Sequence, residues 1–289
     1  MTEPGNQPAE GRVEGTPIRF PESASTSITE RADDRDEMAQ NEFARAEAEV
    51  LRLVNERRAE HELAPLIAHE ELALLSRMHS TDMGSRGYYS HVDPDGVTPN
   101  ERITDALSDR YYLMGTSENI AYRESSRGFD GTTDAELARL FMEGWMNSPG
   151  HRANILRPES THIGIGLARS GNRIYATQKF MQFLVRLENV RDRDTVSAED
   201  PLVAFTLNPG ATGAELVVRV GLPDPQARWD SDGGSFYRGF GFVEPVWTDE
   251  TRFTVALPVD RFGPGTYTLQ FGDQGGNSTY SSAFSFGVE

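Results

Sequence analysis

Hydrophobic residues recur at helical spacing in the first half of the chain. One periodic stretch runs from about residue 38 to residue 60, and a second covers about residues 69–85. A short stretch covers Pro99 to Leu107, and another long one covers Asp134 to Met146, with Leu137, Leu140, Phe141 and Trp145 in one stripe. Apolar residues at i, i+3 and i+4 form the stripe that one side of a helix buries. The pattern therefore predicts three long amphipathic helices and one short helix.

Polar and apolar residues alternate at strand spacing in other segments. Ser117 to Tyr122 alternates in this way, so Glu118 and Ile120 should point to the same side. His162 to Ala168 and Arg173 to Leu184 flank a Ser-Gly-Asn turn and predict a hairpin. A glutamate on the same face as an isoleucine needs a partner that offsets its burial.

These patterns divide the chain into four parts. Residues 1–37 are rich in charged and small polar residues, with almost no apolar periodicity, and predict a disordered acidic arm. Residues 38–190 predict an α+β domain in which helices cover a small antiparallel sheet. Residues 191–200 predict a charged linker. Residues 201–289 hold short alternating segments between Gly, Pro and Asp turns and no helical stretch, which predicts an all-β, immunoglobulin-like sandwich.

The charge balance limits the partners of this chain. It contains 45 acidic and 28 basic residues, of which only Lys179 is a lysine, and its net charge is −17. A surface of that sign repels phosphate backbones, which argues against nucleic acid as a partner. An acidic, lysine-poor surface fits a halophilic source, although a high-GC genome would also replace lysine by arginine. Melting at low salt fits only the halophilic explanation.

Neither thiols nor a membrane span are expected. The chain has no cysteine, so disulfides and thiol chemistry are excluded. No apolar run approaches the ~20 residues that a membrane-spanning helix needs, and no signal-peptide core follows Met1. We therefore expect a chain that is soluble as given, without a signal or an anchor.

Candidate chemistry lies where two predicted helices meet. The long helix ends at Met146, and Ser148 and Pro149 fit the N-cap and first position of a short helix. His151 then lies in the first turn, where free backbone N–H groups favour a neutral imidazole that can bind a metal. On this stretch alone, a helix junction with a packed polar histidine is the simpler interpretation.

Two other histidines have different surroundings. His79 lies on the apolar face of the second long helix, where a histidine is more often a satisfied core residue than a ligand. His91 lies on a turn-rich loop beside Tyr88 and Tyr89, and a lone loop histidine usually has no function. Neither position establishes a site by itself.

Six blocks between about residues 43 and 185 carry a more specific signal. They are Asn55-Glu56-Arg57-Arg58, His79-Ser80-Thr81-Asp82-Met83, Tyr89-Ser90-His91 with Asp95-Gly96, Glu118-Asn119-Ile120-Ala121, Trp145-Met146-Asn147-Ser148-Pro149-Gly150-His151-Arg152-Ala153-Asn154-Ile155-Leu156, and Gly164-Ile165-Gly166. In kind and order they resemble the CAP superfamily, which comprises cysteine-rich secretory proteins, insect antigen 5, plant pathogenesis-related proteins and prokaryotic SCP-like relatives. The resemblance implies an αβα sandwich with a central cleft, in agreement with the helix and strand pattern.

The resemblance also implies a site. In some members two histidines and acidic residues of the cleft bind a divalent metal. His91 matches the first histidine, Glu118 the glutamate of the Gly-Glu-Asn motif, in which Ser117 replaces the glycine, and His151 the second histidine. Ser148 stands where eukaryotic members carry a further glutamate. A site of three residues is therefore expected instead of four.

The expected chemistry leaves several functions open. Two imidazoles and a carboxylate suit Zn²⁺ with an open position, with Mg²⁺ or Ca²⁺ as alternatives. The two histidines could instead hold the metal alone, with Glu118 as general base. The protein would then be an extracellular or cell-surface module that binds a lipid, glycan or protein, a metal-dependent hydrolase with His91, Glu118 and His151 as catalytic residues, or an adhesin that binds through its sandwich. The absent fourth acidic residue favours binding over hydrolysis.

Overall fold

The computed structural model describes residues 41–208, 211, 216–231, 234–273 and 283–289. The predicted acidic arm over residues 1–37 lies outside them. The first half alternates helices and strands: α1 Ala44–Ala59, β1 Ile67–Ala68, α2 Glu70–Arg86, α3 Pro99–Leu107, β2 Tyr111–Glu124, α4 Asp134–Asn147, α5 Pro149–Ile155, β3 His162–Ser170 and β4 Arg173–Leu187. No helix of the described residues is long and apolar enough to cross a membrane.

The helices agree closely with the apolar pattern. α3 has its predicted bounds, and α2 begins directly after His69, whose ring nitrogen accepts a hydrogen bond from the backbone N–H of Leu72. In α4 the predicted stripe is wrong at one position, because Leu140 is 42% exposed. The buried face of α4 is instead widened towards Ala138 and Met142.

The antiparallel sheet of the first half has helices on both faces. β4 pairs with β3 and with β2, and β1 adds to β3 in parallel. α2 lies on one face, close against Gly164 and Gly166 of β3. α1, α4 and α5 pack on the other face, in a core that includes Phe141 and Trp145. This layering is the α+β, CAP-type fold that the resemblance implies.

The second half consists mainly of strands: β5 Thr195–Val196, β6 Leu202–Leu207, β7 Leu216–Gly221, β8 Arg228–Asp230, β9 Phe236–Arg238, β10 Phe240–Val243, β11 Val246–Trp247, β12 Arg252–Ala256, β13 Gly265–Asp273 and β14 Phe284–Val288. A single helical turn, α6 Val259–Phe262, was not predicted. It is too short to give an apolar period, and Gly263, with φ of 75°, ends it.

Two sheets enclose the core of the second half. β6, β12 and β11 continue the sheet of the first half, whereas β10, β7, β13, β14 and β5 form a separate sheet of five strands. Side chains from both sheets, among them Phe205, Phe271 and Phe286, form one buried cluster. Two packed sheets agree with an all-β second half, while an immunoglobulin-like topology stays a prediction.

The two halves share this cluster. Val185 and Leu187, at the end of β4, pair with β6 and belong to it. Tyr112 of β2 belongs to it as well, with its ring centroid 5.6 Å from that of Phe271. The strands that build the first half therefore also supply part of the core of the second half.

Residues 191–200, the predicted charged linker, contact both halves. The guanidinium of Arg191 donates to a carboxylate oxygen of Asp109 at 2.7 Å. β5 pairs in parallel with β14, and the backbone N–H of Ser285 donates to Asp192 at 2.6 Å. The predicted domain boundaries stay a prediction, but this segment is hydrogen-bonded along its length to what precedes and follows it.

Candidate functional site

The three residues implied by the resemblance come from three elements. His91 lies on the loop between α2 and α3, Glu118 lies on β2, and His151 lies in the first turn of α5. Nδ1 of His91 is 2.8 Å from Oε1 of Glu118. Burial and the charge of His91 lower the pKa of the His151 imidazole. We call these three residues the histidine site.

Glu118 is buried, and both of its carboxylate oxygens have donors. Oε1 accepts a hydrogen bond from Nδ1 of His91. Oε2 accepts from Nζ of Lys179 and, at 3.3 Å, from Nη2 of Arg102. Burial alone would raise the pKa of Glu118, but the His91 hydrogen bond and the neighbouring positive charges outweigh it and lower the pKa to about 2. Glu118 is therefore an ionised, fully engaged carboxylate at neutral pH.

Lys179 is the positively charged partner that offsets the burial of Glu118 on β2. The two residues lie directly opposite each other in the β2–β4 register, and Lys179 is fully buried. Burial lowers the pKa of Lys179 to about 8, although Glu118 acts in the opposite direction. Sequence reasoning assigned Lys179 no role. Two features of the sequence could have indicated this role: Lys179 is the chain's only lysine and lies in a predicted strand, and Glu118 had no counterion assigned to it.

Arg102 of α3 fixes the loop that carries His91. Its guanidinium donates to the backbone carbonyls of His91 at 2.6 Å and Val97 at 2.8 Å. It also lies 3.5 Å from the carboxylate of Asp93, and it is itself buried. Since Arg102 also contacts Glu118, one guanidinium ties the loop at His91 and at Val97 to the strand beneath it. This residue was likewise missed from sequence.

His79 is a satisfied core histidine, as predicted. Its Nε2 is 3.1 Å from the carbonyl oxygen of Ser90, to which it donates. Its Nδ1 is 3.4 Å from the hydroxyl of Tyr88, which itself donates to Asp82 at 2.6 Å. Burial lowers the pKa of His79 to about 4, so the ring is neutral at pH 7. His79 lies 3.8 Å from Glu118 but has its hydrogen bonds elsewhere.

α5 begins where the sequence predicts, although its cap is different. Ser148 is the N-cap residue and Pro149 the first helical residue, but the Ser148 side chain makes no capping hydrogen bond. Its backbone carbonyl accepts from the N–H of Arg152 at 2.9 Å. Backbone geometry and Pro149 therefore start this helix without the Ser148 hydroxyl.

Two asparagines join α5 to the strand that carries Glu118. Nδ2 of Asn119 donates to the carbonyl of His151 at 3.1 Å, and Nδ2 of Asn154 donates to the carbonyl of Glu118 at 3.3 Å. His151 is half-buried, and burial together with the nearby His91 lowers the pKa of its imidazole. The backbone around His151 is thus tied to β2 at Glu118 and Asn119, and the lowered pKa favours the neutral form of its imidazole.

The described residues include no group of three or more His, Asp or Glu side chains arranged to hold a metal ion. Glu118 is occupied by its cationic partners, and Nδ1 of His91 is occupied by Glu118. Nε2 of His91 and the ring of His151 are left as imidazole nitrogens, a ligand type that suits Zn²⁺ and its neighbours among the transition metals. The metal and catalytic roles of the three residues stay predictions.

Comparison with known proteins covers the first half of the chain. Residues 51–182 match the model of the CAP family, described as the cysteine-rich secretory protein family. The uncharacterized protein YkwD of Bacillus subtilis (strain 168) is 35% identical over 135 residues, which are 47% of this chain and 46% of YkwD. The uncharacterized membrane protein YlbC of the same strain is 33% identical over 137 residues, which are 47% of this chain and 34% of YlbC.

The chain therefore spans less than half the length of these curated relatives. A solved structure of an extracellular protein containing a SCP domain, from Bacillus anthracis str. Ames, aligns at 29% identity with a TM-score of 0.40, over 51% of this chain and 43% of that one. The family match and both curated relatives confirm the resemblance seen in the six blocks. Residues 51–182 of this chain are therefore a segment of the CAP family, and both curated relatives that they match are bacterial proteins.

Proposed function

We propose that this CAP-domain protein is an extracellular or cell-surface binding module that holds a lipid, glycan or protein ligand at the histidine site without turning it over. In this proposal the second half, an immunoglobulin-like sandwich, attaches the module to a surface or partner. The observation that supports binding over catalysis is the state of Glu118, whose two oxygens are engaged by His91, Lys179 and Arg102.

A hydrolase would need Glu118 as a base. A general base works best when its pKa lies near the operating pH and when it has a free oxygen directed at the reacting proton. The pKa of Glu118 is lowered to about 2, so it takes up a proton only weakly near neutral pH. A fixed, ionised carboxylate suits a different role, which is to hold the His91 ring in one orientation and one tautomer.

His91 and His151 would hold a divalent metal in this proposal. Glu118 accepts a hydrogen bond from Nδ1 of His91, which would leave Nε2 as the ligand atom, an arrangement common among metal-binding histidines. A bound metal would supply a positive charge with open positions for an oxygen or nitrogen of the ligand. The chain's own contribution is to orient the His91 ring through Glu118 and to favour the neutral form of the His151 imidazole.

Calorimetric titration of the metal-free full chain with Zn²⁺ tests this proposal. We expect His91→Gln and His151→Gln each to weaken binding by more than about tenfold, the cost that losing even an orienting partner usually carries. His61→Gln is a matched control, since His61 is exposed and bonds to the backbone of Arg57. A wild-type chain that binds neither Zn²⁺, Mg²⁺ nor Ca²⁺, or a His91→Gln variant with wild-type affinity, would refute it.

A second measurement separates binding from hydrolysis. The Zn²⁺-treated chain is incubated with casein and with ester substrates, and product is compared with that from the Glu118→Gln variant. We expect no turnover above background in either sample. Turnover by the wild type that Glu118→Gln abolishes would favour the hydrolase instead.

A further inference from the structure

Aromatic rings gather on the solvent side of the five-stranded sheet, at its β10 edge. The ring centroid of Tyr237, on β9, lies 5.0 Å from that of Phe240 and 5.3 Å from that of Phe242. The two phenylalanines flank the buried Gly241 on β10, and Phe242 is 37% exposed. The buried clusters of the described residues include none of these three rings. We call Tyr237, Phe240 and Phe242 the aromatic patch.

The aromatic patch is held in place from both sides of β10. A Cβ at Gly241 would lie 1.9 Å from the ring of Trp229, so the β8–β9 hairpin is packed directly on this strand. On the solvent side, the guanidinium of Arg219 lies 4.0 Å from the ring centroid of Phe240 and donates to Gln270 at 2.7 Å. Rings that are already fixed lose little conformational freedom when a ligand binds.

The sheet surface beside the aromatic patch carries short polar side chains. Phe240 pairs with Gly221 of β7. Gly221 pairs with Thr268 of β13, which pairs with Ser285 of β14. All four residues are partly exposed, so they form one row across the solvent side of the sheet. Because a Cβ at Gly221 would lie 2.2 Å from Oγ1 of Thr268, only glycine leaves room for that hydroxyl beside the ring.

Two arginines lie on the neighbouring β8–β9 hairpin. The guanidiniums of Arg228 and Arg238 lie 4.4 and 5.3 Å from the ring centroid of Phe236, which is 43% exposed. By strand alternation these side chains lie around the edge of the hairpin from the aromatic patch. Arg228 and Arg238 are directly opposite in the hairpin register, a placement of like charges that costs stability. Arg228 pairs with Asp230 at 2.6 Å, whereas no carboxylate of the described residues lies within ion-pair distance of Arg238.

Rings, hydroxyl groups and guanidiniums together indicate the class of ligand. The C–H faces of sugar rings pack on aromatic rings, and sugar hydroxyl groups exchange hydrogen bonds with serine and threonine. Guanidiniums pair with carboxylates, which uronic acid sugars carry. The core of a protein-binding surface is apolar and excludes water, whereas a glycine and hydroxyl side chains border these rings. A nucleic acid would bring one charge per nucleotide to a chain whose net charge is −17.

We propose that the solvent side of the β10 edge binds a glycan whose carboxylates are separated by neutral sugars. The aromatic patch and the polar row beside it contact the sugar rings, and Arg238, next to Arg228, pairs with a carboxylate. This inference rests on the attachment role proposed for the second half, and it gives that role a surface and a ligand.

Affinity electrophoresis of the full chain tests the proposal, in native gels that contain hyaluronate, unsulfated chondroitin or xanthan. Each glycan is compared with its carboxyl-reduced form, which keeps the linkages and loses the charge. We expect at least one of the three to retard wild type saturably, with affinity for the reduced form lower by at least about fivefold because the guanidinium contact is lost. Absence of saturable retardation by all three would overturn the proposal.

Phe242→Ser tests the aromatic patch. It removes an exposed ring and should weaken binding of the charged and the reduced glycan alike, by at least about tenfold, as the loss of a central aromatic contact does. Phe242→Tyr keeps the ring and should bind as wild type does, which separates loss of the ring from loss of the fold. Val246→Ser is the matched control, because Val246 is 63% exposed but lies in the other sheet. Equal effects of Phe242→Ser and Val246→Ser would refute the assignment of the site.

Arg238→Gln tests the charge. It should weaken binding of the charged glycan by at least about fivefold and leave the reduced form unaffected. Arg252→Gln makes the same change of charge on β12, where Arg252 lies 3.9 Å from Asp249, and should have no effect. Equal weakening by both variants would mean that net charge alone decides the affinity, and the carboxylate contact would fall. An oligouridylate that binds more tightly than the glycans and loses its affinity in Phe242→Ser would identify a nucleic-acid surface instead.

Failure of this inference differs from failure of the proposed function. His91→Gln lies outside the aromatic patch and should bind the glycan as wild type does. If no glycan is bound while calorimetry still detects Zn²⁺ binding, only the inference falls. If wild type binds no metal but binds a glycan through Phe242, the role of the histidine site falls and the inference stands.

Discussion

Among single residues, Arg58 shows how a buried cation stabilises the fold without a carboxylate. Its fully buried guanidinium donates to the carbonyls of Ala64 at 2.8 Å, Ile155 at 2.8 Å, Arg157 at 2.9 Å and Ser160 at 3.4 Å. Ile155 is the last residue of α5, so a positive charge lies where the carbonyls of that helix end. Arg58 therefore fixes the helix that carries His151.

Replacing Arg58 by Met should destabilise the chain by about 3 kcal/mol or more, because several buried carbonyls lose their donor. The neighbouring Arg57 is the control, since it is only half-buried, with its side chain 43% exposed, and pairs with Glu60 at 2.8 Å. Arg57→Met should change the free energy of unfolding by no more than about 0.5 kcal/mol. Urea denaturation of both variants measures the difference, and equal effects would contradict the role of Arg58.

Two histidines outside the histidine site predict a pH dependence. Burial lowers the pKa of His69 and of His162 to about 4 each. In the unfolded chain their pKa would be near the ordinary value of about 6.5. Between these values the unfolded chain binds more protons than the folded chain, so stability is lost as the pH falls from about 6.5 towards 4.

Each of these histidines should contribute a slope of up to about 1.4 kcal/mol per pH unit within that window. His162→Leu removes one of the two titrating groups. Because the His162 ring packs against Phe183, an apolar side chain suits this position. We expect the free energy of unfolding of the variant to depend less on pH between about 6.5 and 5, above the range where carboxylates titrate. Parallel curves for variant and wild type would contradict this origin.

Some residues of the histidine site could be predicted from the sequence, whereas their buried partners could not. His91, Glu118 and His151 were named from matched motifs, and the need of Glu118 for a partner followed from strand alternation. Lys179 and Arg102 could not be assigned, because their roles depend on the β2–β4 register and on how α3 packs, and neither is encoded in local spacing. The sequence pattern does not predict which side chains of distant segments come into contact.

At the scale of elements, β3 shows why two glycines stand in a buried strand. A Cβ at Gly166 would lie 2.0 Å from the backbone nitrogen of Arg77, and the Ser80 hydroxyl donates to the Gly166 carbonyl at 2.8 Å. The backbone of α2 therefore rests directly on the strand. Any side chain at Gly166 would push away the helix that carries His79.

Gly166→Ala should cost about 3 kcal/mol, at the upper end of the overpacking range, because the clash is with backbone. Gly150→Ala is the matched control, since a Cβ at Gly150 would meet nothing within 4 Å. Within α5 that change should be neutral or stabilising by up to about 1 kcal/mol. Thermal unfolding of both variants provides the measurement, and a destabilised Gly150→Ala would show that glycine is needed for another reason.

The limits of helices were predicted better than the limits of strands. α3 begins at the predicted residue because Thr98 and Glu101 form a reciprocal capping box that defines its N-terminus. β4 runs past the predicted Leu184 to Leu187, where it pairs with β6 of the second half. Val185, Arg186 and Leu187 continue the alternation of apolar and polar residues, so no local signal marks the change of partner.

At the scale of the whole molecule, the shared core links the two halves energetically. Tyr112, Val185 and Leu187 come from the first half and are buried among residues of the second. Deleting residues 198–289 would expose these side chains to water. Such a deletion therefore tests folding as well as attachment, and point substitutions in the sandwich are the cleaner way to test an adhesive role.

Unfolding of the full chain should occur in one transition. Phe284 is buried in the shared core, 6.2 Å from Tyr112 by ring centroids, and Phe284→Ala should cost about 3–5 kcal/mol. We expect the far-ultraviolet signal, dominated by the helices of the first half, to shift together with the tryptophan fluorescence, to which Trp145 of the first half and Trp229 and Trp247 of the second contribute. Two separated transitions would show that the halves unfold independently.

The burial of Lys179 has a practical consequence for labelling. Because it is the chain's only lysine and is fully buried beneath Glu118, the native surface offers amine-reactive reagents no ε-amino group. Crosslinkers and succinimidyl dyes should leave this side chain unmodified until the sheet opens. Mass spectrometry of the peptide that contains Lys179 would therefore measure the fraction of molecules in which this lysine has been modified. That fraction reports how often the sheet opens, and no engineered probe is needed.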